Sequence, residues 1–284
     1  MKLEDIFVII ILYKNNLENS RTIKTLETSL DKKINLFVYD NSSEKQYPEE
    51  SFSYNKFNVQ YFHDPTNVGL SKAYNYALKL AVNNKCSWLL LLDQDTCFTK
   101  EYIDAVEMLR VDKLDKKTVA VIPRVKSLTN NQKISPAKII LGGICRPFNY
   151  QEGIITSKIS GINSGTILKV DYFKSIDGFN ANYTLDMLDH WYFKKIFDDG
   201  KNIFLLNATI NQDLSVLENF EESVSIERYK QMLKAESLFI MEESFISLAV
   251  FKLRLFFRIL KQRKFRNKEY YKFTLKILLR HRNA

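Results

Sequence analysis

The feature that most limits the fold is the run Ile6-Phe7-Val8-Ile9-Ile10-Ile11-Leu12, within residues 5–12, followed at once by the polar stretch Tyr13-Lys14-Asn15-Asn16. A largely β-branched run without polar alternation suits a strand buried on both faces, as in a parallel sheet covered by helices on each side. The rest of the N-terminal half alternates as such a sheet requires. Ile23, Leu26 and Leu30 stand at helical spacing, Ile34–Tyr39 and Val59–Phe62 read as strands, Gly69–Val82 as a second helix and Trp88–Leu92 as a further strand. This β-α-β-β-α-β order predicts an α/β domain with a mostly parallel central sheet. Thr166–Val170 adds another segment, followed by a short helix near Tyr172–Ile176. No glycine-rich phosphate loop follows the first strand, which argues against the dinucleotide-binding and P-loop nucleotide folds.

Sheets of this kind bind ligands at the carboxyl ends of their strands. Polar residues gather there: Tyr13–Asn16 after the first strand, Asp40-Asn41-Ser42-Ser43 after the second and Asp93-Gln94-Asp95 after the fourth. The last triplet offers two carboxylates at the mouth of a buried strand, the oxygen donors that Mg²⁺ or Mn²⁺ take together with substrate phosphates. Each motif also has a plain reading. The Asp-Gln-Asp triplet alone is a solvated turn, Asp40-Asn41-Ser42 an Asx-turn, and Asn67 with Gly69 a helix approached through a tight turn. Gly161–Thr166 is then a hairpin turn, and Asp186 and Asp189 are helix caps.

Three segments taken in order, Val38-Tyr39-Asp40-Asn41-Ser42-Ser43, Asn67-Val68-Gly69-Leu70-Ser71-Lys72-Ala73-Tyr74-Asn75 and Leu91-Leu92-Asp93-Gln94-Asp95-Thr96, resemble the family 2 glycosyltransferases. Leu-Asp-Gln-Asp is closest to their rhamnosyltransferase branch, and the resemblance covers roughly residues 5–215. It implies a GT-A fold, Rossmann-like, whose first half grips a sugar nucleotide. Asp40 would bind the pyrimidine or ribose, Asn67 and Gly69 would shape the loop near the nucleotide, and Tyr13 would stand beside them. Asp93 and Asp95 would hold a divalent cation that bridges the diphosphate and neutralises its growing charge. Asn163, Ser164 and Gly165 resemble the family's Ser-Gly segment lining the donor-sugar and acceptor site.

Leu185-Asp186-Met187-Leu188-Asp189-His190-Trp191 is similar to the rhamnosyltransferase pattern that opens a helix, and it places Asp189 on the catalytic base. That base would take the proton of the acceptor hydroxyl as its oxygen attacks the anomeric carbon, inverting the configuration. Two departures stand out. His190-Trp191 replaces a further acid, and the downstream histidine that completes the metal shell in many relatives is absent. Asn211-Gln212-Asp213-Leu214-Ser215 occupies its place, so Gln212 or Asp213 would supply an oxygen instead. The implied donor is dTDP-rhamnose, with a UDP-sugar (galactofuranose, galactose or glucose) as the alternative. The implied acceptor is a hydroxyl of a glycan or lipid-linked glycan in cell-surface polysaccharide, such as capsule, synthesis.

Charge separates the C-terminal part from this body. The net charge is +9, yet residues 246–284 hold twelve Lys or Arg against the single Glu269. The catalytic domain is therefore read as residues 1–215 and a basic helical region as 216–284. A nucleic-acid-binding protein is disfavoured because the basic excess avoids the α/β body and no recognised module is present. A degenerate, non-catalytic nucleotide-binding relative is motivated only by the missing histidine. In the tail, Arg254, Arg258 and Lys261 fall on one helical face, with Leu248, Leu255, Phe256, Ile259 and Leu260 over much of the remainder. Lys268, Lys272, Lys276 and Arg280 repeat the design beside Tyr271, Leu275 and Leu278. Helices of this kind can lie in a membrane interface with basic faces toward anionic headgroups; the plain reading is that both pack on the catalytic domain. Three cysteines, Cys86, Cys97 and Cys145, form no short pair and read as reduced thiols. With no signal-peptide pattern at the N-terminus and no spanning run, the expectation is a cytoplasmic protein associated peripherally with the inner face of the membrane.

Overall fold

The computed structural model describes residues 1–212 and 224–279. The chain divides into two compact units, one of residues 1–137 with 147–213, the other of 138–146 with 214–284. The boundary read near residue 216 and the residues Asp213, Arg280 and His281 lie outside the described residues.

In the first unit the apolar run forms β1 (Ile6–Leu12), and Leu12 leads to a loop ending at Ser20. The Ser20 hydroxyl accepts from Ile23 N–H and so caps α1 (Arg21–Ser29). Next come β2 (Ile34–Asp40), β3 (Ser51–Tyr54), β4 (Phe57–His63), α2 (Leu70–Asn83) and β5 (Trp88–Leu92). After β6 (Thr96–Cys97) and α3 (Lys100–Met108) the chain forms the ten-residue β7 (Thr118–Ser127) and β8 (Lys133–Ser135). β9 (Ala137–Ile140) and β10 (Ile144–Pro147), which pair with each other, lie almost wholly in residues 138–146 and so belong to the second unit. β11 (Gly153–Ile155), β12 (Ile159–Ser160), β13 (Ile167–Lys169), α4 (Val170–Ser175), α5 (Leu188–Asp198) and β14 (Asn202–Gln212) complete the first unit.

The main sheet runs β11-β14-β7-β13-β5-β1-β2-β4-β3, with β6 on β14 and β8 on β7. Its centre is parallel: β1 pairs in parallel with β2 and β5, and β2 with β4. β13 then runs antiparallel to both β5 and β7, while β14 returns parallel to β7. The strand order reverses between β1 and β5, because the chain moves outward through β2 and β4 and then comes back to the far side of β1. In an open α/β sheet such a reversal leaves a crevice at the carboxyl ends of the two strands.

Strand pleat decides what faces that crevice. Val8, Ile10 and Leu12 of β1, Leu36 and Val38 of β2 and Leu90 and Leu92 of β5 join Ile23, Leu26, Tyr102, Ile103 and Val106 in one buried cluster on the α1 and α3 side. Each such side chain contributes about 1.5–3 kcal/mol on full burial. The odd-numbered residues face the other layer, where Phe37 stacks on Tyr76 of α2 at 5.8 Å between ring centroids. Residue 93 continues this odd series.

The second unit contains α6 (Ile226–Met241), α7 (Phe245–Gln262) and α8 (Glu269–Leu278), with Ser225 and Ser244 capping the first two. Tyr229, Leu233, Phe251, Leu255, Tyr270 and Ile277 are buried among them. Arg258 pairs with Glu236 at 2.9 Å and Arg254 with the same carboxylate at 3.4 Å. The face of α7 expected to carry outward basic residues is therefore turned inward at Arg254 and Arg258. Leu248 and Leu255, expected on a lipid-facing side, are core residues. Among the described residues no helix is long and apolar enough to cross a membrane.

Candidate active site

The turn that follows β5 is held from three sides. Thr22 Oγ1 hydrogen-bonds to the carbonyl of Asp93, lies 3.1 Å from that of Thr96, and accepts from Thr96 N–H at 3.0 Å. The Ser20 hydroxyl donates to the Gln94 carbonyl at 2.9 Å. Ser164 Oγ accepts from Asp93 N–H at 3.2 Å and from the Thr96 hydroxyl at 2.8 Å. Each bond contributes roughly 0.5–1.5 kcal/mol net, so together they fix the direction in which the two acids point. The Gln94 side chain, central in the Asp-Gln-Asp triplet, is spent on the end of β1. It accepts from Tyr13 N–H at 3.0 Å and donates to the Tyr13 carbonyl at 3.3 Å. Gln94 thus clasps the two strands at the reversal point.

Asp93 and Asp95 meet the end of β14 through Gln212, whose Nε2 donates to Asp93 Oδ2 at 3.2 Å and Asp95 Oδ1 at 3.4 Å. Although part of Asp93 reaches solvent, its carboxyl group is enclosed by protein. Burial, with the neighbouring Asp95 and Asp189 charges adding to it, pushes its pKa up to about 7. Asp189 is the second residue of α5, with a half-buried side chain whose Oδ1 accepts from His190 N–H at 2.8 Å. It therefore sits where a helix N-terminus favours negative charge. Beneath the carboxylates lie Tyr74 of α2 and Tyr192 of α5, both fully buried and both held well above the usual phenol range by burial, with Asp93 and Asp189 contributing. Three acids from two elements, Asp93, Asp95 and Asp189, thus share one site at the sheet's carboxyl edge.

The other residues named from the sequence frame this cluster. Asp40 is fully enclosed; its Oδ1 accepts from Ser42 N–H at 2.9 Å, an Asx-turn, and its Oδ2 from the Tyr61 hydroxyl at 2.6 Å. In this conformation it stands behind the loop surface and shapes it. Tyr13 is exposed, with the Lys14 ammonium 5.2 Å from its ring centroid. Asn67 is exposed at φ 47°. Gly69 caps α2 at φ 86°, and a Cβ there would lie 2.3 Å from the Thr184 carbonyl oxygen, which accepts from Leu70 N–H at 2.6 Å. Glycine at 69 therefore lets the segment that leads to Asp189 close on α2. Asn163 and Ser164 are buried: Asn163 accepts from the Tyr192 hydroxyl at 3.2 Å, and Ser164 braces the Asp93 turn. Gly165, at φ 75°, packs under Ile210 with its carbonyl accepting from Tyr102. His63, the last residue of β4, bonds the Ser42 carbonyl at 2.9 Å. His190 Nδ1 bonds Ser160, and Asp186 lies in the segment just before α5.

The bracing hydroxyls of Ser20 and Thr22 were not read from the sequence as part of the site. Ser20 was nevertheless visible as a helix cap three residues before Ile23. Tyr61 and Tyr192 carried no signal beyond being aromatic, and Tyr74 stood within the Asn67–Asn75 segment without a role of its own.

Among the described residues no three His, Cys, Asp or Glu side chains form a metal-binding group. The donor set nevertheless fits a hard cation. Two carboxylates share one amide, and the Oε1 of that amide is buried without a hydrogen-bond partner in the described structure. In this conformation Nε2 faces the two acids and Oε1 is the orphan; turning the amide over would bring Oε1 to them and complete a set of oxygens that a hard cation takes.

The family model for glycosyl transferase family 2 matches residues 7–174, and the chain belongs to that family. No curated protein matches the sequence. Among solved structures the chain is similar to residues 1–349 of Staphylococcus aureus TarS, with a TM-score of 0.54 and 18% identity over 98% of this chain and 90% of that one. It is also similar to GalNAc-T7 with UDP, GalNAc and Mn²⁺, with a TM-score of 0.56 and 12% identity over 96% of this chain and 54% of that one. A third is the mannosyltransferase PcManGT of Pyrobaculum calidifontis with GDP-Man and Mn²⁺, with a TM-score of 0.55 and 12% identity over 96% and 73%. The chain spans 55% of the longer TarS structure. At these identities the likeness is one of fold, and it agrees with the GT-A type α/β architecture described above.

Proposed function

We propose that the chain is an inverting glycosyltransferase that moves a sugar from a nucleoside diphosphate to a hydroxyl of a glycan. The observation that carries this reading is the convergence of Asp93, Asp95 and Asp189 at the strand reversal, with Gln212 joining the first two. Asp93 and Asp95, with Gln212 Oε1 once its amide turns over, would hold Mg²⁺ or Mn²⁺, which when bound supplies positive charge against the leaving diphosphate.

Asp189 acts as general base. Its carboxyl group stands at a helix N-terminus, and it accepts the acceptor's hydroxyl proton as that oxygen attacks the anomeric carbon opposite the diphosphate. One base and one displacement invert the centre. Tyr13 and Asn67 line the exposed approach at the carboxyl ends of the strands, where the nucleotide would sit. Asp40, Gly69, Asn163, Ser164 and Gly165 act by shaping the loops that bound it.

The donor is dTDP-rhamnose, supported by the Leu92-Asp93-Gln94-Asp95 and Asp186–Trp191 resemblance. A UDP-sugar is the second reading, favoured by the TarS structures with UDP and UDP-GlcNAc. The acceptor is a lipid-linked intermediate of a cell-surface polysaccharide, and the basic C-terminal unit meets the anionic membrane that carries it. Donor hydrolysis by the purified chain across dTDP-rhamnose and the common UDP-sugars tests the reading. Turnover of one donor supports it, and failure to bind any nucleoside diphosphate with Mn²⁺ present overturns it.

A further inference from the structure

Helix α7 buries one side in its own unit and leaves the other bare. Phe245, Ile246, Leu253, Phe256, Phe257 and Leu260 are all exposed, Phe245 at 75% and Phe257 at 60%. At about 100° per residue these positions fall within about a third of the helix circumference. They form a continuous stripe, whereas exposed apolar residues on a soluble surface are ordinarily scattered. Lys252 borders the stripe on one side and Lys261 on the other, and neither makes an ion pair among the described residues. Arg254 and Arg258, which the sequence pattern placed on the outward basic face, are instead committed to Glu236. From residue 245 to 279 the chain carries ten Lys or Arg against the single Glu269.

Building on the membrane-held acceptor proposed above, we propose that this stripe is a lipid-docking face. The Phe245–Leu260 side of α7 lies in the acyl boundary of an anionic bilayer, with Lys252 and Lys261 at the headgroup level. Charge complementarity selects this occupant. A second copy of the chain would bring the same lysines against one another, whereas an anionic surface neutralises them. The geometry is that of an interfacial helix: an apolar arc, cationic edges, and a length and composition that do not span.

The test uses the full chain in flotation with vesicles of phosphatidylcholine alone or containing phosphatidylglycerol. Three variants accompany it: Leu253→Glu with Phe257→Glu, Lys252→Gln with Lys261→Gln, and Phe256→Trp as a depth probe. All substituted residues are exposed or at the stripe's edge, and thermal unfolding checks each fold. We expect binding to the anionic vesicles, a fall of about tenfold or more in the glutamate pair, and a fall of about fivefold for each lysine removed. The tryptophan should be quenched by brominated acyl chains. Equal binding to neutral and anionic vesicles, no binding to either, or wild-type binding by the glutamate pair overturns the proposal. So does a self-association that the glutamate pair abolishes without any vesicle binding. Donor hydrolysis is followed in the same variants. Its persistence when flotation fails separates failure of the docking face from failure of the transferase reading.

Discussion

Gln212 Nε2 donates to Asp93 Oδ2 across 3.2 Å, tying the last residue of β14 to the first residue after β5. Those strands are separated in the sheet by β7 and β13, so the bond closes the carboxyl edge over three strand intervals. Its other atom, Oε1, is buried and unsatisfied among the described residues. Gln212→Leu should therefore leave the fold intact and weaken Mn²⁺-dependent binding of a sugar nucleotide, with little change for the free nucleoside. Gln212→His, which restores a donor atom of similar reach, should recover part of the loss. Calorimetric titration with and without Mn²⁺ measures both, and equal affinity in all three proteins rejects the role.

Asp189→Asn keeps the shape and the acceptor for His190 N–H but removes the proposed proton acceptor of the reaction. Transfer should fall by about 10²–10⁴-fold with donor affinity unchanged. Near wild-type transfer would leave Asp189 as a helix cap and move the base to Asp186.

The raised pKa of Asp93 makes the cation-free protein sensitive to pH. A carboxyl that binds its proton more tightly when folded contributes stability that is present below the ordinary carboxyl range and lost as pH rises toward about 7. The upper bound is about 4 kcal/mol. Thermal unfolding in EDTA should show the wild type losing stability across that interval and Asp93→Asn losing less. Mn²⁺ should restore wild-type stability at neutral pH. A profile in EDTA that is the same for both proteins contradicts the burial of this carboxyl.

Gly69→Ala places a Cβ against the Thr184 carbonyl at a backbone angle that disfavours side chains. It should cost about 1–3 kcal/mol and displace the segment that leads to Asp189. Chemical denaturation reads the first effect and the turnover number the second. A variant that is destabilised but turns over normally would separate the turn from the base.

The parallel centre of the sheet was legible because β1 and β5 are buried on both faces and read as unbroken apolar runs, β2 is apolar from Leu36 to Val38, and Ile23, Leu26 and Leu30 show helical period beside them. β7 and β14 were not read as strands. β14 carries Asn207, Thr209 and Asn211 among its apolar residues, and its assignment depends on pairing with β7, more than seventy-five residues earlier. The same limit applies at the site. The carboxylates of Asp93 and Asp95 were visible as a strand-end pair, and Asp189 came from the motif resemblance. The braces from Thr22, Ser164 and Gln212 are contacts between residues far apart in the chain, which no local pattern encodes. In the tail, amphipathic period was plain, but which side of α7 faces inward turned on one acid, Glu236, in a different helix.

The central claim is that Asp93 and Asp95 serve sugar transfer by holding a cation against a diphosphate donor. The most direct measurement is release of nucleoside diphosphate by wild type and Asp95→Ala, with dTDP-rhamnose and the common UDP-sugars, in Mn²⁺ and in excess EDTA. The account predicts release by the wild type in Mn²⁺ with one donor, little in EDTA, and little from Asp95→Ala in either. Undiminished release in excess EDTA, or wild-type rates from Asp95→Ala, would contradict it.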